Sequence, residues 1–361
     1  MRLMRKLIVA AILALGMNHA ALAQTCPSSP YTLTNGTNAD ASQVMANFNN
    51  LLNCINSQPG LVFAPAGRLT LSIGTPVLTS AVNGGGTVYY TPYTGNLVPI
   101  WSGTGFVART FTELSNVLAN STAGNAGPAA ATAGAVYDLF VWSNAGTITL
   151  TRGPAWTNTT TRSAALTRVN GLLTNSTAIA NGPAVGFGTY IGTIATDNGS
   201  ATVSFNSGSS ISGGGPSNIG LWNQFNRVRI IASVNDASIS HTYASATYRS
   251  FNGSNGNRVT FVTGQAEDSF TATAIALIQT SVGGVGSLAF GLDNNNAIST
   301  GSSTSFVGIG GSQSSVQSPI YFSGNPIVGQ HYIQLLQKGD GTTATTFLSG
   351  PYELLQADLR Y

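Results

Sequence analysis

Charge is scarce in this chain of 361 residues, of which only 7% are Asp, Glu, Lys or Arg, against about 25% in a typical soluble domain. The fourteen Lys and Arg residues include Arg2, Arg5 and Lys6, so eleven cationic residues face eleven acidic ones in the remainder. A nucleic-acid surface needs a clustered excess of cationic side chains, and the sequence has no such cluster. We therefore expect no nucleic-acid partner.

Cysteine and histidine are also rare, with two and three residues in the whole chain. Zinc sites need Cys and His ligands at close spacing, whereas His241 and His331 lie ninety residues apart. Each histidine is the first residue of a strand-like segment, so we interpret both as structural residues. The sequence predicts no metal site and no cofactor.

Patterns that carry catalysis are missing as well. Glu267 and Asp268 are an adjacent carboxylate pair, but a glycosidase needs carboxylates on opposite sides of a cleft, and these two lie in one turn. Asp293 in LDNNNA lacks the Gly and the distal Glu of an EF-hand loop. No G-x-S-x-G nucleophile motif occurs. We predict no catalytic residues and no enzymatic activity.

What is present begins with the pattern of an export signal over residues 1–23. A basic start precedes the apolar run LIVAAILALG, and small residues at Ala21 and Ala23 predict cleavage before Gln24. A membrane anchor is the alternative, but the apolar run is too short to span a bilayer. We expect export to the periplasm, the cell surface or the medium.

The two cysteines, Cys26 and Cys54, would then meet an oxidising compartment, where a disulfide is the default. Closing this loop would stabilise the fold by roughly 3–4 kcal/mol in the chain-entropy treatment. Two unpaired thiols on separate segments are the alternative.

Residues 40–57 have the pattern of one amphipathic helix inside an N-terminal segment, 24–60. Asp40 is a good N-cap, with Gln43 three residues on. The apolar positions follow at coiled-coil spacings of four, three and four: Val44, Phe48, Leu51 and Ile55. Two heptads need a docking partner, either the β domain of the same chain or further copies of the helix. We favour a seam between subunits, because this spacing is narrower than a helix needs for covering a sheet.

From Gly67 onward the apolar residues recur with a period of two, which is typical of β-strands. The strings SNAGT and KGDGT have the composition of hairpin turns, and short helices are predicted within 110–121 and 159–172. We predict an all-β fold of two sandwich or jelly-roll-like modules, the first at 61–172 and the second at 173–361.

Four tryptophans and a tyrosine cluster raise the question of ligand contact, because aromatic faces beside amides often hold sugars. Sandwich cores also use aromatic residues, and core packing is the alternative for each tryptophan. Trp101, in NLVPIWSGTGF, is the candidate for a position near a loop surface, where it could contact a ligand.

Several long strings together resemble bacteriophage and prophage virion-surface proteins of the fibre-like kind found in alphaproteobacteria and their phages. The strings are YTLTNGTNADASQVMANFNNLLNCINS, GRLTLSIGTPVLTSAVNGGGTVYYTPYTGNLVPIW, GPAWTNTTTRSAALTRVNGLLTN, VTFVTGQAEDSFTATAIAL and HYIQLLQKGDGTT. The resemblance runs over most of the chain after residue 23, roughly residues 30–350. The resemblance implies a β-rich, trimeric appendage without an active site. One departure is the export signal, which a virion protein does not need, so a module secreted to the bacterial surface or the periplasm fits better.

These observations predict a secreted, non-enzymatic, fibre-like surface protein for adhesion or for recognition of a glycan or another cell-surface partner. One alternative is an outer-membrane β-barrel, suggested by the alternating ending LQADLRY. A secreted carbohydrate-active enzyme is the third hypothesis. Neither the ligand nor the number of subunits follows from the sequence.

Overall fold

The structure is a computed structural model that describes residues 29–32, 34, 40–57, 63–208, 216–281, 283–301, 303–307 and 314–361. Its contacts divide the chain into two compact units, one through Leu61 and one from Val62. The predicted signal at 1–23 and Cys26 lie outside the described residues, as do the side chains of Cys54 and Ile55. The cleavage site and the disulfide therefore stay predictions.

The first unit contains the helix α1, Ala41–Ser57. The carboxylate of Asp40 accepts hydrogen bonds from the Ser42 hydroxyl at 2.7 Å and the Ser42 backbone N–H at 2.8 Å. These bonds lower the pKa of Asp40 and satisfy an amide that has no partner inside the helix. Within the helix, the Asn47 side chain exchanges two hydrogen bonds with the backbone of Tyr31, which precedes α1, at 3.0 and 2.9 Å.

The apolar face of α1 is open to solvent over much of its length. Phe48 and Leu51 of the predicted seam are 57% and 51% exposed, and Val44 is half-buried. Met45 and Leu52 beside them are also more than half exposed. Exposed apolar side chains of this size on one helix face are typical of an interaction surface.

The second unit is built from strands. In chain order they are β1 (Gly67–Thr70), β2 (Val82–Gly85), β3 (Thr87–Pro92), β4 (Leu97–Trp101), β5 (Phe106–Thr110), β6 (Leu114–Val117), β7 (Val136–Asn144), β8 (Thr147–Arg152), β9 (Leu166–Val169), β10 (Leu172–Asn175), β11 (Thr189–Ala195), β12 (Val203–Asn206), β13 (Ser217–Ile219), β14 (Leu221–Asn223), β15 (Arg229–Val234), β16 (Ser240–Tyr243), β17 (Arg249–Ser250), β18 (Arg258–Thr263), β19 (Phe270–Thr280), β20 (Val285–Leu292), β21 (Ser303–Val307), β22 (Ser314–Gly324), β23 (Gly329–Lys338), β24 (Thr345–Leu348) and β25 (Leu354–Arg360).

These strands form five sheets. An eight-stranded sheet has the order β2-β12-β13-β18-β23-β20-β21, with β17 also on β23. A six-stranded sheet has the order β15-β25-β19-β24-β16, with β22 on β19, and a second one has the order β8-β7-β11-β10-β9, with β14 on β11. A three-stranded sheet, β1-β3-β6, and the hairpin β4-β5 complete the set.

A large part of the main core comes from the eight-stranded sheet and the sheet that contains β19. Every second residue of β19 from Phe270 to Thr280 is buried, which is the period expected of a half-buried strand. Across the layers, the rings of Phe261 and Phe270 lie 5.1 Å apart, and those of Phe290 and Phe322 lie 6.3 Å apart. Two sheets packed face to face are sandwich-like, so the all-β prediction is confirmed.

Both predicted helical stretches of the β region contain strands instead. The segment 110–121 holds β6, which pairs with β3, and 159–172 holds β9, which pairs with β10 around a turn at Asn170 and Gly171. Both turn residues have positive φ, 43° and 90°. The helix predictions were wrong because helical propensity is a weak prior, and pairing with a neighbouring strand outweighs it here.

Of the two predicted hairpin turns, SNAGT is confirmed and KGDGT is wrong. Ala145 and Gly146 have φ of 47° and 94°, as a type I′ turn between β7 and β8 requires. KGDGT instead joins β23 to β24 in a different sheet. Asp340 shapes this crossover by accepting the N–H groups of Thr343 and Thr342, which lower its pKa to about 2.

The predicted boundary between modules at 172/173 falls within β10, a strand of the second six-stranded sheet. Strand β7 from before the boundary pairs with β11 from beyond it, and β2 pairs with β12 in the eight-stranded sheet. The strands assigned to the two predicted modules therefore share sheets, because sheet pairing here follows long-range contacts rather than sequence order.

Candidate ligand-binding cleft

A concave site of about 470 Å³ opens on the eight-stranded sheet, and we call it the Arg258 cleft. Its lining comes from strands of that sheet and from neighbouring loops: Thr159, Thr160, Asp197, Asn198, Pro216, Asn218, Arg258, Thr260, Asp293, Gln330, His331 and Tyr332. A second concavity of about 510 Å³ beside the β7–β8 turn has no charged residue in its lining. Ligand sites are concave with a few convergent polar groups, which favours the Arg258 cleft.

Strand register places a polar row on the floor of this cleft. Asn218 of β13 lies opposite Thr260 of β18, and Thr260 lies opposite Tyr332 of β23. All three are half-buried, whereas their chain neighbours Phe261 and Ile333 are buried in the core. Because strand side chains alternate between faces, the row lies on the face opposite the core.

Asp293 ties the loop after β20 to this row. Its carboxylate accepts the backbone N–H of Tyr332 at 2.9 Å, and its own N–H donates to the Tyr332 carbonyl at 2.9 Å. The Asp293 backbone has φ 53°, a left-handed conformation that Asp tolerates better than most residues. Two hydrogen bonds to Tyr332 and the left-handed backbone of Asp293 therefore define the conformation of this loop without a ligand.

His331 is joined to the same carboxylate. Its Nδ1 lies 2.6 Å from Oδ2 of Asp293, and its Nε2 lies 3.1 Å from the Val328 carbonyl. Burial acts to lower the pKa of His331, but the hydrogen bond and charge of Asp293 outweigh it, so the pKa is raised. Since both ring nitrogens face acceptors, the arrangement suits a doubly donating imidazolium, and neither nitrogen is left to act on a ligand.

Asp197 is engaged in the same way on the other side of the cleft. One carboxylate oxygen accepts the hydroxyls of Thr202 and Ser204 at 2.9 and 2.8 Å. The other accepts the side-chain N–H of Asn218 at 3.0 Å. The Oδ1 atom of Asn218 is buried without a hydrogen-bond partner among the described residues.

Arg258 is the cation of the cleft. Its guanidinium lies over the Tyr332 ring, 4.6 Å from the ring centre. Within the described part of the chain, no carboxylate lies within ion-pair distance of it. A guanidinium has five N–H donors and no acceptor, so the cleft presents donors from Arg258 beside hydroxyl and amide groups.

The other residues singled out from the sequence lie elsewhere. Trp101 ends β4, is half-buried and packs edge-on against Phe106 at 5.2 Å, which closes the β4–β5 hairpin. Glu267 and Asp268 both pair with Arg227, at 2.9 and 2.6 Å. Trp101 is therefore a partly exposed hairpin residue outside the Arg258 cleft, and its ligand role stays a prediction.

His241 and the remaining tryptophans have packing contacts. His241 contacts the Gln337 side chain through Nε2 and stacks on Phe347 with ring centres 5.6 Å apart. Trp156 and Trp222 are buried. The Trp142 indole N–H donates to the Thr151 hydroxyl at 2.6 Å.

Metal and membrane features were sought in the same described ranges. Among those residues, no group of three or more His, Cys, Asp or Glu side chains is placed to hold a metal ion. No helix there is long and apolar enough to cross a bilayer.

Comparison with known proteins adds no relative. No protein-family model matches the chain, and no curated protein matches it.

Proposed function

We propose that this chain is a secreted, non-enzymatic, fibre-like surface protein that recognises a glycan or another cell-surface ligand through the Arg258 cleft. The observation that carries the proposal is the cleft itself. Its volume lies within the range of about 300–1,000 Å³ typical of small-molecule sites. Asp197, Asp293 and His331 are held by hydrogen bonds within the protein, so these groups need little ordering on binding.

Assembly into a homotrimer is the second part of the proposal, and the exposed apolar face of α1 supports it. Met45, Phe48, Leu51 and Leu52 are each more than half exposed, and burying them against further copies of α1 would remove apolar surface from water. Three clefts on one particle would raise the avidity for a repetitive surface without any new contact.

Export and the Cys26–Cys54 disulfide complete the proposal, and both follow from the sequence pattern. The likeness of the strings quoted above to fibre-like virion-surface proteins supports the same assignment. Intact mass of the periplasmic protein, with and without reduction before alkylation, tests the bridge. Alkylation of both cysteines without reductant would contradict it.

Binding is tested on a glycan array with the labelled full chain and two variants. Thr260→Tyr fills the floor of the cleft with a residue that strands accept readily. Thr242→Tyr is the matched control, because Thr242 is exposed on β16 in another sheet. We expect the wild type and Thr242→Tyr to bind the same glycans and Thr260→Tyr to lose them. Binding by all three proteins alike would place the ligand elsewhere, and no binding by the wild type would refute glycan recognition.

The same glycans test the non-enzymatic assignment. After prolonged incubation with the protein, mass spectrometry should show every bound glycan intact. Cleaved products that disappear with Thr260→Tyr would instead support a carbohydrate-active enzyme.

A further inference from the structure

We propose that the ligand of the Arg258 cleft is an acidic saccharide whose carboxylate pairs with the guanidinium of Arg258. This inference rests on the function proposed above and narrows it to one class of sugar. The first observation is that the arginines of the second unit, Val62–Tyr361, differ in whether they have an acceptor.

Three of these arginines already pair with carboxylates, and Arg68, Arg152 and Arg168 donate to backbone carbonyls. Arg162 contacts Asp138 at 2.7 Å, and Arg229 contacts Asp358 at 2.7 Å. Arg227 contacts the neighbouring carboxylates Glu267 and Asp268. Arg258 lies among polar side chains in the cleft, yet it has no such partner in the described part of the chain. Its donors are therefore available to a ligand.

The two carboxylates of the cleft do not compete for Arg258. Asp293 is held by His331 and by the backbone of Tyr332. Asp197 is held by two hydroxyls and the Asn218 amide. The hydrogen bond and charge of Asp293 raise the pKa of His331, which favours the protonated imidazole beside that carboxylate. An incoming anion thus meets one unpaired cation and two carboxylates whose oxygens are already engaged.

Stacking on Tyr332 gives the guanidinium a fixed position. Arginine stacks on aromatic faces and binds carboxylates through two parallel N–H donors. The ring contact at 4.6 Å therefore reduces the side-chain freedom that binding would otherwise remove. A small carboxylate by itself would contact Arg258 and leave the rest of the Arg258 cleft unfilled.

The remainder of the cleft matches the hydroxyl groups of a sugar. Thr159, Thr260 and Asn198 offer groups that both donate and accept hydrogen bonds. A carboxylate and several hydroxyls on one rigid ring occur together in uronic and sialic acids.

The experiment compares each acidic oligosaccharide with its own carboxyl methyl ester. Trigalacturonic acid and sialyllactose are titrated calorimetrically into the full chain, together with any acidic glycan found on the array. Methyl esterification removes the charge and keeps the sugar skeleton. The protein variants are Arg258→Gln and, as a control, Arg109→Gln, which removes an exposed arginine from β5 in another sheet.

We expect the Kd of the acidic glycans to rise at least tenfold on esterification and at least tenfold in Arg258→Gln, with no change in Arg109→Gln. The ester comparison uses the wild type, so it remains decisive if Arg258→Gln folds poorly. Selective binding of neutral glycans, or Kd values within twofold across these comparisons, would overturn the inference and leave glycan recognition standing. A wild type that binds no glycan would remove both.

Discussion

Arg68 and Arg152 are fully buried, and backbone carbonyls and an amide hold them. Arg68 donates to the carbonyls of Pro76, Asn226 and Tyr361, and Arg152 donates to those of Asn120 and Ala129 and to the Asn116 side chain. Each guanidinium thus joins loops that are far apart in sequence. The sequence could not predict these roles, because the acceptors are backbone atoms whose positions depend on the complete fold.

Glu353 is a buried acidic group, and it should make the free energy of unfolding fall as pH rises. One carboxyl oxygen accepts the N–H of Asp236 at 2.7 Å, and the other has no partner among the described residues. Burial raises the pKa of Glu353 to about 8, with the nearby charge of Asp236 adding to the effect. Above the unfolded pKa of 4.5, the unfolded state loses its proton first, so folding costs progressively more up to about pH 8.

Glu353→Gln removes this titration and should flatten the pH dependence. We expect the free energy of unfolding of the variant, relative to the wild type, to increase between pH 5 and pH 8, by up to roughly 4 kcal/mol. Urea denaturation at both pH values measures the difference. An offset that is the same at pH 5 and pH 8 would contradict the account.

The His331–Asp293 pair should act over a different pH range. Because the folded pKa of His331 is raised, its stabilisation is full below the unfolded value of about 6.5 and is lost as pH rises through the folded pKa. Asp293→Asn keeps a residue that tolerates the left-handed backbone and removes the charge. We expect a loss of about 1 kcal/mol or less at pH 6, since the Asp293 side chain is 42% exposed, and a smaller loss at pH 9. A loss that grows with pH would exclude this pairing.

At the scale of elements, the period-two pattern predicted the strand-rich character correctly, and β19 shows why. Alternating burial from Phe270 to Thr280 leaves a direct trace in the order of apolar and polar residues. The segment 110–121 shows no such alternation, because β6 is only four residues long. Its partner β3 is a separate segment earlier in the chain, so the pairing has no local pattern.

The Arg258 cleft was missed for a related reason. Asp293 and His331 both stood out in the sequence, but Asp293 was considered only as an incomplete EF-hand match and His331 only as a structural residue. Only the pairing of β20 with β23 brings them together across 38 residues, and only the parallel pairing of β13 with β18 places Asn218 beside Thr260. The residues of a site that is assembled from separate loops and strands have no characteristic spacing in the sequence, so the sequence does not predict it.

The exposed face of α1 provides the prediction at this scale. Phe48→Asp puts a charge into the proposed seam, and burying an unpaired carboxylate costs several kcal/mol, once for each subunit. We expect the variant to be monomeric by light scattering while the β unit keeps its melting temperature. Asn49→Asp adds the same charge at the next residue, which is exposed, and should keep the wild-type mass.

A different result for Phe48→Asp would place the helix elsewhere. If the helix packs on the β domain of its own chain, Phe48→Asp should lower the melting temperature without changing the mass. That outcome would contradict the seam between subunits.

For the whole molecule, the shortage of charge and the β architecture both favour self-association. A surface of Ser, Thr and Asn groups carries little repulsive field and is easily desolvated, so it suits self-association in an extracellular assembly. Recognition of a repetitive surface through a modest cleft also gains from several copies on one particle. The proposed recognition therefore requires the protein to be an oligomer.

The mass of the protein in solution tests this proposal most directly. Size-exclusion chromatography with multi-angle light scattering, at micromolar concentration and near-neutral pH, should give the mass of three copies of the chain. The same mass should persist after dilution to the concentrations used for glycan binding. A single-copy mass at micromolar concentration would contradict the proposed fibre-like surface protein.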